Sequence, residues 1–258
     1  MTIRRVSARG LAAALLAVAT LAGCVPDMAG DPMPPPPQRP DHVAPEPTSL
    51  SAHAAAYYAD VQRGFLLRGL MRTDRGAEIP MTVDSVTRDF LRIALYSEYA
   101  EAGGQLIPRA TASRLQRWEQ PVKVNVVTGA SVSPEQARKD RGTIAGFVGR
   151  LARISGHPIS MTSGQGNFTV LILSEDERLS YGDRLSQLMP GLSNAARRAI
   201  VNMSPSTYCL VVARDTPGSY AYAQAVAVIR AEHPDLLRLS CVHEEVTQGL
   251  GLANDDPR

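Results

Sequence analysis

Tyr57, Val61 and Phe65 recur at helical spacing, as do Val86, Phe90 and Ile93, so amphipathic helices are expected over residues 51–71 and 83–102. Behind Pro121 the rhythm changes: Val122, Val124 and Val126 alternate with Lys123 and Asn125, the period of a strand with one buried face. Ser133-Pro134-Glu135-Gln136 then reads as a helix start, with serine as cap, proline at the first helical position and glutamine at the capping-box place. Ile144, Val148 and Leu151 share one face of the helix that follows. Residues 168–173 form a continuous apolar run rich in β-formers. Residues 208–213 and 220–229 predict two further strands, joined by a turn over 214–219 that contains Pro217-Gly218. Pro234 opens a last helix reaching about Gly249. Helices, then mixed strands, then a late helix predict an α+β domain over residues 49–258.

A different apolar segment lies at the start of the chain. Leu11 to Leu21 carries only one weakly polar residue, Thr20, and is preceded by Arg4, Arg5 and Arg9. That is the layout of a signal peptide over residues 1–23, and the run is too short for a comfortable membrane span. Leu21-Ala22-Gly23-Cys24 resembles the bacterial lipobox, which implies cleavage before Cys24 and acylation of that cysteine. An ordinary secretory cut nearby is the alternative. Several acyl chains anchor a protein stably, at about 0.8 kcal/mol per buried methylene. Val25 stands where an inner-membrane retention signal has aspartate. By resemblance to sorted Gram-negative lipoproteins, this implies the outer membrane, facing the periplasm. Residues 24–48 would then link anchor and domain, since nine of the nineteen prolines fall between 25 and 48 and favour an extended polyproline spacer.

Charge and cysteine count narrow the picture. The whole chain is +2, and loss of three leader arginines leaves −1, so no basic footprint for nucleic acid remains. With Cys24 lipidated, Cys209 and Cys241 are left over in an oxidising compartment. A disulfide is expected, worth roughly 3–4 kcal/mol on the chain-entropy model. Two buried thiols are the alternative.

The candidate chemistry lies on the late helix. In a metalloprotease of the H-E-x-x-H type, two side chains four apart grip zinc and a glutamate beside the first activates water. Counted from His243, the base position falls on Glu244 but the second ligand position on Thr247, a poor ligand. Counted from Glu244, the base is Glu245, the second ligand Gln248, the metzincin glycine Gly251 and the third ligand Asn254, with Asp255 adjacent. The outline is Glu-Glu-x-x-Gln-x-x-Gly-x-x-Asn, with no histidine among its ligands. An oxygen-only set suits calcium or magnesium better than zinc. Three readings stand: one divalent metal ion on Glu244, Gln248, Asn254 and Asp255; His243 contributing from a shifted register; or no metal, on an ordinary solvated helix face.

The stretch from Ala231 through His243-Glu244-Glu245 to Asn254-Asp255, together with Leu67 to Asp74, Arg117-Trp118-Glu119 and Gly156-His157-Pro158-Ile159, resembles the family of domain of unknown function 2927, found in alphaproteobacterial lipoproteins. That family is similar to zincin-like peptidases in its motif region. The resemblance implies a motif helix beneath a mixed sheet, Glu245 as base and Glu244, Gln248 and Asn254 or Asp255 as ligands, without implying an activity. Members continue beyond the Asn-Asp pair, so a chain ending at Arg258 is expected to be truncated.

Elsewhere Ser163-Gly164-Gln165-Gly166-Asn167 reads as a connecting loop rather than a phosphate loop. His157 reads as a turn residue and Trp118 as core, and no Gly-x-Ser-x-Gly elbow supports serine-hydrolase chemistry. Two functions compete. One is a non-catalytic envelope module that binds a peptide or cell-wall partner, with residues 220–229 as the edge strand a peptide extends. The other is a metal-dependent hydrolase using Glu245 as general base.

Overall fold

The central strand of the domain, β5 (Phe168–Leu173), is buried at all six positions. A strand apolar on both sides must be covered on both faces. In the computed structural model, which describes residues 44–71 and 80–255, β5 lies in a five-stranded sheet with β3 (Val122–Thr128), β4 (Ile159–Met161), β6 (Cys209–Asp215) and β7 (Tyr222–Arg230), in the order β4-β3-β5-β7-β6. β6 alone runs antiparallel. Phe168, Val170 and Ile172 pack on one face with Ile144 and Val148 of α3 (Pro134–Ser155) and Val242 and Val246 of α7 (Asp235–Gln248). Leu171 and Leu173 pack on the other with Leu185 of α5 (Gly182–Leu188) and Ile200 of α6 (Asn194–Val201). The expected α+β class holds, with seven helices and two sheets among the described residues. The leader, Cys24 and most of the proline-rich segment lie outside those residues.

The first helix, α1 (Ser49–Leu67), starts where Thr48 accepts the Ser51 N–H at 3.1 Å. The second is shorter than its apolar pattern suggests. α2 (Val83–Ala94) ends after Ala94, and residues 96–102, expected as helix, form strand β1 (Tyr96–Ala102). β1 pairs with β2 (Gln105–Ala112) through Gly103 and Gly104, whose φ angles of 58° and 72° belong to a two-residue hairpin turn. This hairpin is a separate two-stranded sheet. At α3, half of the expected capping box forms. Ser133 caps the Gln136 N–H at 3.2 Å, while the Gln136 side chain turns to Asp140 at 2.8 Å instead of the cap.

The edge strand also differs from expectation. β7, the strand predicted over 220–229, lies between β5 and β6 with both sides paired; the edges are β4 and β6. The Cys209–Cys241 disulfide is present and joins that edge to α7, with Cα atoms 5.9 Å apart. α7 is tied to α3 as well, by the buried Arg238–Asp140 pair at 3.0 Å.

Between β7 and the second face lies a buried charge cluster. Glu175 of α4 (Glu175–Leu179) pairs with both Arg178 and Arg230, each of them 1% exposed. Arg178 also donates to the Ile200 carbonyl at 2.8 Å, closing the open end of α6, and Arg230 donates to the Ser204 carbonyl at 2.8 Å. Removing one partner of a buried ion pair leaves the other charge desolvated. Glu175→Gln is therefore expected to destabilise the fold by about 3–5 kcal/mol, read as a lower denaturant midpoint with unchanged slope.

Candidate functional site

Cys241, Glu244, Glu245 and Gln248 follow helical spacing and share one side of α7. The disulfide holds that side toward β6. At its C-terminal end the helix is stopped by packing. The Trp118 indole donates to the Gly249 carbonyl at 2.8 Å, and a Cβ on Gly249 would lie 2.4 Å from Phe168. Trp118 is buried, as expected of a core residue. Gly251, where the motif places its turn, has φ 122°, and a Cβ there would meet the Gln116 carbonyl at 2.6 Å. Only glycine combines that backbone angle with that approach.

Glu245 is 2% exposed. Its carboxyl lies beside the backbone N–H of Val211 on β6, while its Oε2 is buried without a hydrogen-bond partner. Burial pushes this carboxyl well above its usual value, and the neighbouring Glu244, Glu98 and Asp255 push in the same direction. Glu244 is raised to about 7, by desolvation first and then by Asp255 and Glu98, although its surface reaches solvent. Glu98, on β1, is raised by desolvation and by Asp255; Tyr99 beside it is raised by desolvation and by Glu98. Four carboxyl groups thus crowd one end of α7.

The chain after the helix completes this arrangement. Gln248 donates to Asp255 Oδ1 at 2.8 Å. Asn254 donates through Nδ2 to the carbonyls of Arg92 at 3.2 Å and Asp255 at 3.1 Å, and its backbone N–H reaches the Ile93 carbonyl at 3.1 Å. Its amide nitrogen is thereby engaged in fastening the turn to α2. His243 points elsewhere. Its ring lies 4.2 Å from that of Phe147, lining a groove between α3 and α7, and its basicity is lowered by burial and by Arg150.

Among the described residues, the only three acid, cysteine or histidine side chains with ligand atoms within 4.8 Å of one another are Cys209, Cys241 and Glu244. The two sulfurs are joined to each other, so neither is a thiolate ligand. Glu98 and Tyr99 were not legible as site residues while their segment read as helix. Gly103-Gly104 was the signal that would have placed them on a hairpin. Of the lesser candidates, His157 sits in a turn against the Gln120 carbonyl at 3.0 Å, and residues 163–167 connect β4 to β5.

A family model described as Protein of unknown function (DUF2927) matches residues 84–258. No curated protein and no solved structure matches the chain.

The acidic cluster has a definite pH signature. The folded Glu245 holds its proton above the usual value of 4.5, so its contribution is full below that pH and is lost as pH rises. Glu244 acts in the same direction between 4.5 and about 7, reduced by solvent screening. His233 opposes both. Burial, then Arg230 and Arg238, lowers it from 6.5 to about 3, so it costs stability as pH falls through that window. Comparison with a variant isolates the carboxyl. The denaturation midpoint of Glu245→Gln should gain on wild type as pH rises above 4.5; a constant offset would contradict a buried, titrating Glu245.

Proposed function

The chain belongs to the family described as proteins of unknown function, DUF2927, and from that premise we propose that it is a membrane-anchored envelope lipoprotein whose zincin-like domain is a non-catalytic module for a peptide or cell-wall partner. The observation that carries this reading is the use made of the motif side chains. Gln248 bonds to Asp255 and Asn254 to the Arg92 carbonyl, and Glu245 is buried against β6 beside the Val211 N–H, so each is taken up within the fold. The zincin-like assignment is supported by the position of α7 against a mixed sheet and by the glycine turn at Gly251. The partner surface in this reading is the free edge of β6 with the acidic side of α7.

One observation favours the second reading, a metal-dependent hydrolase. Glu245 is a buried carboxyl at the base position of the motif, with one oxygen, Oε2, left without a partner, and perturbed acids of this kind cluster at catalytic sites. Metal analysis of the purified protein separates the two. The binding module is expected to hold no stoichiometric metal and to stay folded in chelator. Stoichiometric metal, with peptide cleavage lost in Glu245→Gln, would establish the hydrolase instead.

The anchor is tested on its own. Cys24→Ser is expected to abolish acylation, seen as loss of the lipid mass, and to move the protein from the membrane to the soluble fraction. Membrane retention of that variant would contradict the lipoprotein reading.

A further inference from the structure

An amphipathic helix normally turns its apolar stripe to the core. α2 does not. Its half-buried side chains are Ser85, Asp89, Arg92 and Ile93, three of them polar. Val83, Val86 and Phe90 form a ridge on another side of the helix and are 81%, 49% and 44% exposed. Met81, just before the helix, and Leu91, beside the ridge, are exposed as well. Apolar side chains gathered in this way mark an interaction surface. Their spacing of i, i+3 and i+7 is that of a helix that anchors in an apolar groove.

The same domain carries such a groove. It lies between α3 and α7, with the end of α1 on its far side, and has a volume of about 960 Å³. Phe65, Phe147, Tyr208, Leu236 and Leu239 give it apolar walls. On α3 it is lined by Gly142 and Gly146. A Cβ at either position would meet nothing, so no contact within the domain requires glycine there. Glycine inside a helix costs about 0.5–1 kcal/mol relative to alanine, and its use is to let another backbone come close. The dimensions also agree. From Gly142 to Arg150 the groove runs about 12 Å along α3, and the ridge from Val83 to Phe90 is about 10 Å long.

Charge fits in the same sense. Arg150 stands at one end of the groove, near His243, and has no carboxylate partner among the described residues. Asp84, in the first turn of α2 and exposed, has no basic partner among them. Ridge and groove do not meet within one chain, because Asn254 fastens α2 through the Arg92 and Ile93 carbonyls and leaves the ridge in solvent. A second copy offers both surfaces.

We propose that α2 of one chain lies in the α3–α7 groove of a second copy, with Val86 and Phe90 inserted between its walls, the α2 backbone close to Gly146 and Asp84 facing Arg150. Two different patches meet, so the contact is head-to-tail and repeats as a chain or a ring. Neither Glu245 nor the β6 edge takes part, and the contact does not rest on the reading of the motif.

Oxidative cross-linking of the full-length protein in the cells that make it tests this. Two differently tagged chains are produced together, one carrying Val86→Cys and the other Gly146→Cys; Cys209 and Cys241 are bonded to each other and leave the new thiols to pair. A disulfide-linked dimer with both tags is expected, absent when either new cysteine is omitted. A chain carrying both substitutions is expected to give a ladder of multimers. Arg150→Glu in the Gly146→Cys chain should cut the yield of mixed dimer severalfold, and Asp84→Arg in the Val86→Cys chain should restore it, which a misfolded variant would not allow. Absence of the mixed dimer, a yield indifferent to Arg150→Glu, a Val86→Cys homodimer in its place, which would mean that two ridges meet, or linkage of Val86→Cys to a different protein instead would each overturn the proposal.

Discussion

Burial of β5 on both faces is the constraint from which the rest of the domain follows. Phe168, Val170 and Ile172 face one way and Leu171 and Leu173 the other, so neither face can be left to water. The crossovers must therefore divide. α3 and α7 cover one face; α5 and α6 cover the other. The position of the motif helix results from that division. The one antiparallel strand of the five-stranded sheet, β6, lies at its margin, where the disulfide fastens it to α7.

Two polar clusters are drawn into this interior, and they differ in sign logic. Around Glu175 the charges are complementary, and spare guanidinium donors end on backbone carbonyls. Such a cluster is compensated in charge, with only Arg178 Nε lacking an acceptor, and it ties α4, α6 and β7 together. Around Glu245 the charges are alike. Glu98, Glu244 and Asp255 each raise the cost of ionising it, and one of its oxygens has no partner. A fold gains nothing from crowding acids in this way, which is why that end of α7, and not the Glu175 cluster, is the candidate site.

How much was legible depended on whether a local signal matched the tertiary environment. α3 and β5 were readable because their caps, prolines and apolar runs agree with where they lie. Residues 96–102 read as helix because the spacing of Val86, Phe90 and Ile93 meets no glycine or proline before Gly103, whereas Gly103-Gly104 turns the segment into a hairpin strand. The short helices α5 and α6 are set by packing on Leu171 and Leu173, and α4 by the pairing of Glu175 with Arg230. At the site, Glu245 and the Gly251 turn were visible from spacing alone. The contribution of Glu98 and the engagement of Asn254 with α2 were not, since both depend on contacts across more than a hundred residues.

The amino-acid sequence by itself determined the α+β class, the pairing candidates Cys209 and Cys241, the helical run that carries Glu244, Glu245 and Gln248, and the glycine that ends it. Each of these is a local or compositional property, expressed in periodicity, residue type and backbone freedom. Tertiary structure alone decided which strand is the edge, which acids meet, and that the motif side chains bond within the fold. Those outcomes depend on how distant segments approach one another, and a one-dimensional pattern records which faces are apolar but not which face meets which.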